Sequence, residues 1–148
     1  MMDTTQPFTF QCLVDRLYGD YLLHKSLFIA FDFDNTIFDY HNAGRDFHHI
    51  IDLLKKCSDH GHKLILFTTT NDKKKIAFAR MYCEHFGIKI SYVNENPEVS
   101  PGCVKPYYNI LLDDRAGLQQ SYEILYETFL KIIRNETANP QSAESTEK

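Results

Sequence analysis

The stretch LFIAFDFDNT, residues 27–36, sets an unbroken apolar run against a polar turn that holds two carboxylates. Alternating polarity would suit a strand with one wet face; a continuous run suits a strand covered on both faces, as in a parallel sheet. The same construction recurs downstream. Leu64-Ile65-Leu66-Phe67 runs into Thr68-Thr69-Thr70, and Tyr107 to Leu112 runs into Asp113-Asp114-Arg115. Between these last two, residues 88–93 make a weaker third strand, so that Tyr107 to Leu112 is the fourth.

Helical spacing fills the intervals. Phe47, Ile50, Ile51 and Leu54 share a face, and Gly61 ends that helix. Ile76, Ala79, Cys83 and Phe86 share another, with Asn71 or Asp72 as cap and Gly87 as stop. Leu118, Tyr122, Leu125, Phe129 and Ile132 give a long last helix. Phe10, Leu13, Val14, Leu17 and Tyr21 predict a first helix over 8–23, which Gly19 weakens. Alternating strands and helices imply an α/β, three-layer Rossmann-like sandwich with a small parallel sheet of about four to five strands. The expected organisation is one domain over 1–134, with its core at 26–134. Residues 135–148 hold no large apolar side chain and read as a disordered polar tail.

Composition narrows the function. Sixteen basic against twenty acidic residues give a net charge of −4, which argues against broad polyanion binding. No apolar run is long enough to span a membrane, and Met1 to Pro7 lacks the order of a secretory signal. Cys12, Cys57, Cys83 and Cys103 are scattered with no CxxC, which suits reduced thiols in the cytoplasm. The six glycines are isolated, so the dinucleotide fingerprint, the Walker A loop and the hydrolase elbow are absent. Positions six after the cysteines hold Tyr18, Lys63, Lys89 and Asn109, never the Arg of a cysteine-phosphatase loop.

In open α/β sheets ligands bind beyond the carboxyl ends of the strands. Those ends hold Asp32, Asp34, Thr68, Asp113 and Asp114, with Lys105 just before the last strand. Carboxylates gathered this closely repel one another. A hard cation such as Mg²⁺ relieves the repulsion, because it takes a few carboxylates together with phosphate oxygens. A carboxylate can also attack phosphorus, while Thr68 and Lys105 steady the phosphoryl oxygens. Each feature alone has a structural explanation as turn, cap or loop; their shared placement, each bordering an apolar strand, favours chemistry.

The run from Phe28 to Thr36 resembles motif one of the haloacid dehalogenase superfamily. Leu64 to Thr68 is similar to motif two, Lys105 to motif three, and Leu111-Leu112-Asp113-Asp114 to motif four. The resemblance covers roughly residues 27–118. It implies a Mg²⁺-dependent phosphohydrolase acting on phosphomonoesters through an aspartyl-phosphate on Asp32. Asp34 would be general acid and base and would lend its backbone carbonyl to the metal. Thr68 and Lys105 would hold the phosphoryl group. Aligning the family's Gly-Asp with Asp113-Asp114 matches Asp114 to the metal ligand and puts Asp113 beside it. Asn35 stands where Gly is commoner. The spacings from Asp34 to Thr68 and from Thr68 to Lys105 leave no room for a substantial cap domain.

Thr69, Asn35, Arg45 and Lys73 are the candidates for substrate contact, and the Asn94-Glu95-Asn96-Pro97 loop is expected at the rim. The expected substrate is a phosphorylated small molecule. The alternatives are a polynucleotide end phosphatase, which the acidic charge disfavours, and a non-catalytic phosphate-binding or receiver-like signalling module. The order DxD, Thr, Lys, DD is not a receiver's order.

Overall fold

A computed structural model describes residues 8–97 and 105–138. The chain runs α1 (Phe10–His24), β1 (Phe28–Asp32), α2 (His48–Asp59), β2 (Lys63–Phe67), α3 (Lys73–His85), β3 (Ile90–Val93), β4 (Ile110–Leu112) and α4 (Leu118–Ala138). The four strands form one parallel sheet in the order β3-β2-β1-β4. This is the α/β Rossmann-like fold that the apolar runs predict. Among the described residues no helix is long and apolar enough to cross a membrane.

The two central strands account for the core. Ile29, Ala30 and Phe31 of β1 and Leu64, Ile65 and Leu66 of β2 are all fully buried. Side chains alternate across a strand, so each triplet serves both faces. Ile29, Phe31, Leu64 and Leu66 join the main cluster with Ile50 and Leu54 of α2, Cys83 of α3 and Leu125 of α4. On the face shared by Phe28, Ala30 and Asp32, Tyr107 meets Phe28 edge-on at 5.8 Å and Tyr108 meets Phe67 at 5.9 Å. Tyr107 and Tyr108, just before β4, thus pack onto this face of the sheet. Gly61 and Gly87 follow α2 and α3 with φ of +96° and +77°, the left-handed turn that favours glycine and stops a helix. Asp72 caps α3 by accepting from the Lys74 N–H at 2.9 Å.

Several boundaries differ from expectation. Ile88 lies before β3, not in it, though it is buried. Tyr107 to Asn109 stay outside β4, because the Asn109 side chain accepts the Phe28 N–H at 2.7 Å and stands in for a ladder bond. The expected tail at 135 is a correction: α4 continues to Ala138. Glu136 accepts from the Tyr21 hydroxyl at 2.7 Å and pairs with His60 Nε2 at 2.8 Å, so tertiary contacts carry the helix past its apolar stripe. The rest of the tail, residues 139–148, lies outside the described residues, as does Cys103; Cys12, Cys57 and Cys83 are free thiols.

The same corner, at the amino ends of the strands, holds a buried imidazole beside the half-buried His60. His62 Nδ1 accepts the Leu27 N–H at 3.0 Å, which leaves its proton on Nε2. Its ring stacks on His60 with centroids 5.1 Å apart. Burial, helped by His60, pushes the His62 pKa down to about 4.

Candidate active site

Adjacent parallel strands bring the acidic residues together. Phe31 is paired with Leu112, so Asp32 and the Asp113-Asp114 pair leave the sheet side by side. Oxygens of Asp32, Asp113 and Asp114 all lie within 4.8 Å of one another. Asp32 and Asp113 are half-buried and Asp114 is exposed. Burial, followed by the charges of Asp113 and then Asp114, pushes the Asp32 pKa up to about 7. Oxygen donors crowded against mutual repulsion fit a hard divalent cation. Both Asp113 and Asp114 lie within the cluster, so the structure does not set one of them aside.

One hydroxyl works against the repulsion. Thr36 is fully buried, donates to Asp32 Oδ2 at 3.1 Å and accepts from the Asp114 N–H at 3.2 Å. It ties the turn after β1 to the turn after β4. The first turn is folded tightly to place it: the Ile37 and Phe38 N–H groups both donate to the Phe33 carbonyl at 3.1 Å, and Asn35 donates to the Phe38 carbonyl at 2.7 Å. Asn35 sits at φ 61°, a conformation Asn tolerates better than most residues. Its side-chain oxygen is buried with no partner in the protein.

The segment after β2 makes the facing wall. Thr68 Oγ1 accepts from the Thr70 N–H, Thr70 Oγ1 from the Asp72 N–H, and Asp72 from the Lys74 N–H, a chain of side-chain turns that leads into α3. Asn94 holds the start of this chain from β3: its amide accepts from the Thr68 N–H and donates to the Thr68 carbonyl, each at 2.9 Å. A cavity of about 420 Å³ lies between these walls, lined by Asp32, Asp113, Thr68, Thr69, Asn94 and Pro106 among others. Its size is that of a small-molecule site. Glu95 and Asn96 also line it, as the rim loop was expected to do.

The expected residues thus divide. Asp32, Thr68, Thr69 and Asp113 meet in one cavity, with Asp114 in the carboxylate cluster. Asp34 is exposed and lines a neighbouring groove, together with the same Thr68 and Thr69. Lys105 does not line the Asp32 cavity; it lines a groove against α1, one residue before Pro106, which touches both spaces. Neither Arg45 nor Lys73 lines the cavity or the groove beside it; Lys74 and Lys75 line that groove. The Arg45 segment is instead wound onto Asp39, which accepts from the Ala43, Gly44 and Arg45 N–H groups. Sequence reading gave no separate role to Thr36, although its place in DFDNT was the available signal.

No protein-family model matches the chain, and no curated protein matches it. Among solved structures, a conserved protein from Bacteroides thetaiotaomicron is similar to it at 25% identity with a TM-score of 0.56, over 72% of this chain and 91% of that one.

Proposed function

We propose that this chain is a Mg²⁺-dependent phosphohydrolase of the haloacid dehalogenase type, acting on phosphomonoesters through Asp32. The observation that carries the reading is the approach of three carboxylates within 4.8 Å at the carboxyl end of the sheet, beside a cavity walled by threonines. Asp32, Asp113 and Asp114, with the Asp34 backbone carbonyl, would hold the cation. When bound, the cation supplies positive charge against the clustered carboxylates and the phosphoryl oxygens.

The chain's own groups do the rest. An Asp32 oxygen attacks phosphorus, and the bond from phosphorus to the leaving oxygen breaks. The leaving oxygen takes a proton from the Asp34 carboxyl. Water then attacks phosphorus of the aspartyl-phosphate and gives its proton to Asp34. The bond to Asp32 breaks and inorganic phosphate departs. Thr36 holds the Asp32 carboxylate in place through its 3.1 Å hydrogen bond. Thr68 and Thr69 meet the phosphoryl oxygens, and Lys105, next to cavity-lining Pro106, contributes positive charge at the rim. Free Cys12, Cys57 and Cys83 suit a reducing, cytoplasmic setting.

The test is a screen of phosphorylated metabolites for phosphate release with Mg²⁺, run beside Asp32→Asn and beside a chelated sample. Turnover that needs both the metal and Asp32 supports the reading. Turnover that survives Asp32→Asn removes the covalent mechanism, and turnover that survives chelation removes the metal.

A further inference from the structure

The groove that holds Asp34 has a second character. Thr68 and Thr69 line both it and the Asp32 cavity, so the two spaces adjoin along one threonine wall. Its volume is about 450 Å³, and Phe33, Phe38, Tyr40 and Phe78 are among the residues that line it. Phe33 and Phe38 stack at 5.2 Å, and Phe78 meets Phe38 edge-on at 5.4 Å. The buried member, Phe33, belongs to the core. Tyr40 and Phe78 do not: they remain 57% and 42% exposed while lining the groove. Lys74 and Lys75 border the same space. Exposed aromatic surface next to paired ammonium groups matches a ligand that is planar and anionic at once.

Resting on the phosphohydrolase reading, we infer that the organic half of the substrate is a nucleoside, its base lying against the Tyr40 and Phe78 wall while its phosphate sits at Asp32. The juxtaposition fits the chemistry of the step. Asp34, the proton donor to the leaving oxygen, lines the aromatic groove, so the leaving group departs into that groove. A sugar phosphate would leave the rings wet; a nucleotide covers them. Lys74 and Lys75 add charge complementarity to an anionic nucleotide in a chain whose overall charge is −4. The nucleotide is favoured over a longer nucleic acid because both spaces have the volume of small-molecule sites.

The experiment measures binding, and so does not depend on turnover. Adenosine monophosphate and ribose 5-phosphate are titrated into Asp32→Asn protein with Mg²⁺. They share the phosphate and the ribose and differ in the base. Stacking of a base on an aromatic side chain predicts a preference for the nucleotide of about 5- to 150-fold. In Tyr40→Ala and Phe78→Ala backgrounds that ratio falls towards one. Equal affinities for the two ligands, or a preference untouched by both substitutions, overturn the inference while leaving the phosphohydrolase reading intact. Phenyl phosphate binding as tightly as the nucleotide also overturns it, in favour of simple aryl phosphates. Dimerisation that is lost in Phe78→Ala, with no nucleotide bound, would give the groove to a second copy of the chain and likewise overturn it. A base preference that depends on Tyr40 upholds the groove assignment even where the metabolite screen finds no turnover, so the two readings fail separately.

Discussion

The two ends of the sheet treat buried polar groups in opposite ways. At the amino ends, Glu136 has both carboxylate oxygens matched, one by the Tyr21 hydroxyl and one by His60, and His62 stays neutral by accepting a backbone N–H. Groups of complementary character draw α1, α4 and the turn before β2 together there. At the carboxyl ends, three carboxylates face one another with the Thr36 hydroxyl as the side-chain donor to Asp32. The first end is held by complementary contacts around Glu136, although His60 Nδ1 and His62 Nε2 stay buried without a partner. The second leaves like charges facing one another, the feature on which the proposed cation and phosphate site rests.

The contrast is broken most forcefully at Asp32. Asp32→Asn is expected to lower phosphomonoester turnover by at least about a thousandfold in steady-state assays. The same substitution is expected to raise the thermal midpoint of metal-free protein at pH 8, since it removes a charge from a repelling cluster. A metal-free Asp32→Asn protein that melts lower than the parent at that pH would show that the cluster is not strained.

The pH dependence of stability sharpens the comparison, because the two ends have opposite signs. The Asp32 pKa is raised from 3.8 to about 7 in the fold. Its favourable contribution is therefore complete below about pH 4 and is lost as pH rises through 7. The His62 pKa is lowered from 6.5 to about 4, so its contribution is present above pH 6.5 and is lost as pH falls through 4. The loss at His62 amounts to about 3 kcal/mol over that window. The two contributions run with opposite sign over nearly the same window, so in metal-free parent protein they largely offset between pH 4 and 6.5. Chemical denaturation from pH 4 to 8 is expected to show stability rising with pH in Asp32→Asn, where the His62 contribution remains, and falling with pH in His62→Gln, where the Asp32 contribution remains; the parent's profile unchanged in both variants contradicts the assignment.

Smaller effects follow from single hydroxyls. Thr36→Val removes a buried donor to Asp32 and an acceptor for the Asp114 N–H. About 1–3 kcal/mol of stability is expected to go, read by denaturant midpoints, with a matching loss of turnover. At the other end, Tyr21→Phe deletes only the hydroxyl that meets Glu136, and about 0.5–1.5 kcal/mol is expected by the same measurement. Should Tyr21→Phe cost more than Thr36→Val, the amino-end network would be the more demanding of the two.

How much of this could be read from the residues follows the range of the forces. The continuous apolar runs 28–31 and 64–67 announced β1 and β2, because covering both faces of a strand is written into every position. The acids at the carboxyl ends of β1 and β4 were legible because parallel neighbours end at one edge. The extension of α4 to Ala138 was hidden, because Glu136 is held by Tyr21 and His60, residues more than seventy positions away. Which lysine of the run 73–75 reaches the groove was hidden as well: Lys73 begins α3, and Lys74 and Lys75 line the groove. Lys105 is one residue from cavity-lining Pro106 along the chain, yet it lines the groove against α1. Chain position fixes neither helical phase nor the direction of a loop.

Calorimetric titration of Mg²⁺ into the metal-free chain near pH 7, in buffers of different ionisation enthalpy, tests the central claim most directly. The account predicts one site per chain whose filling releases protons to the buffer, because the raised Asp32 pKa leaves its carboxyl partly protonated at that pH and the cation binds the carboxylate; Asp32→Asn should bind more weakly and release none. Millimolar Mg²⁺ that fails to bind, or that binds the parent and Asp32→Asn alike without proton release, would contradict it.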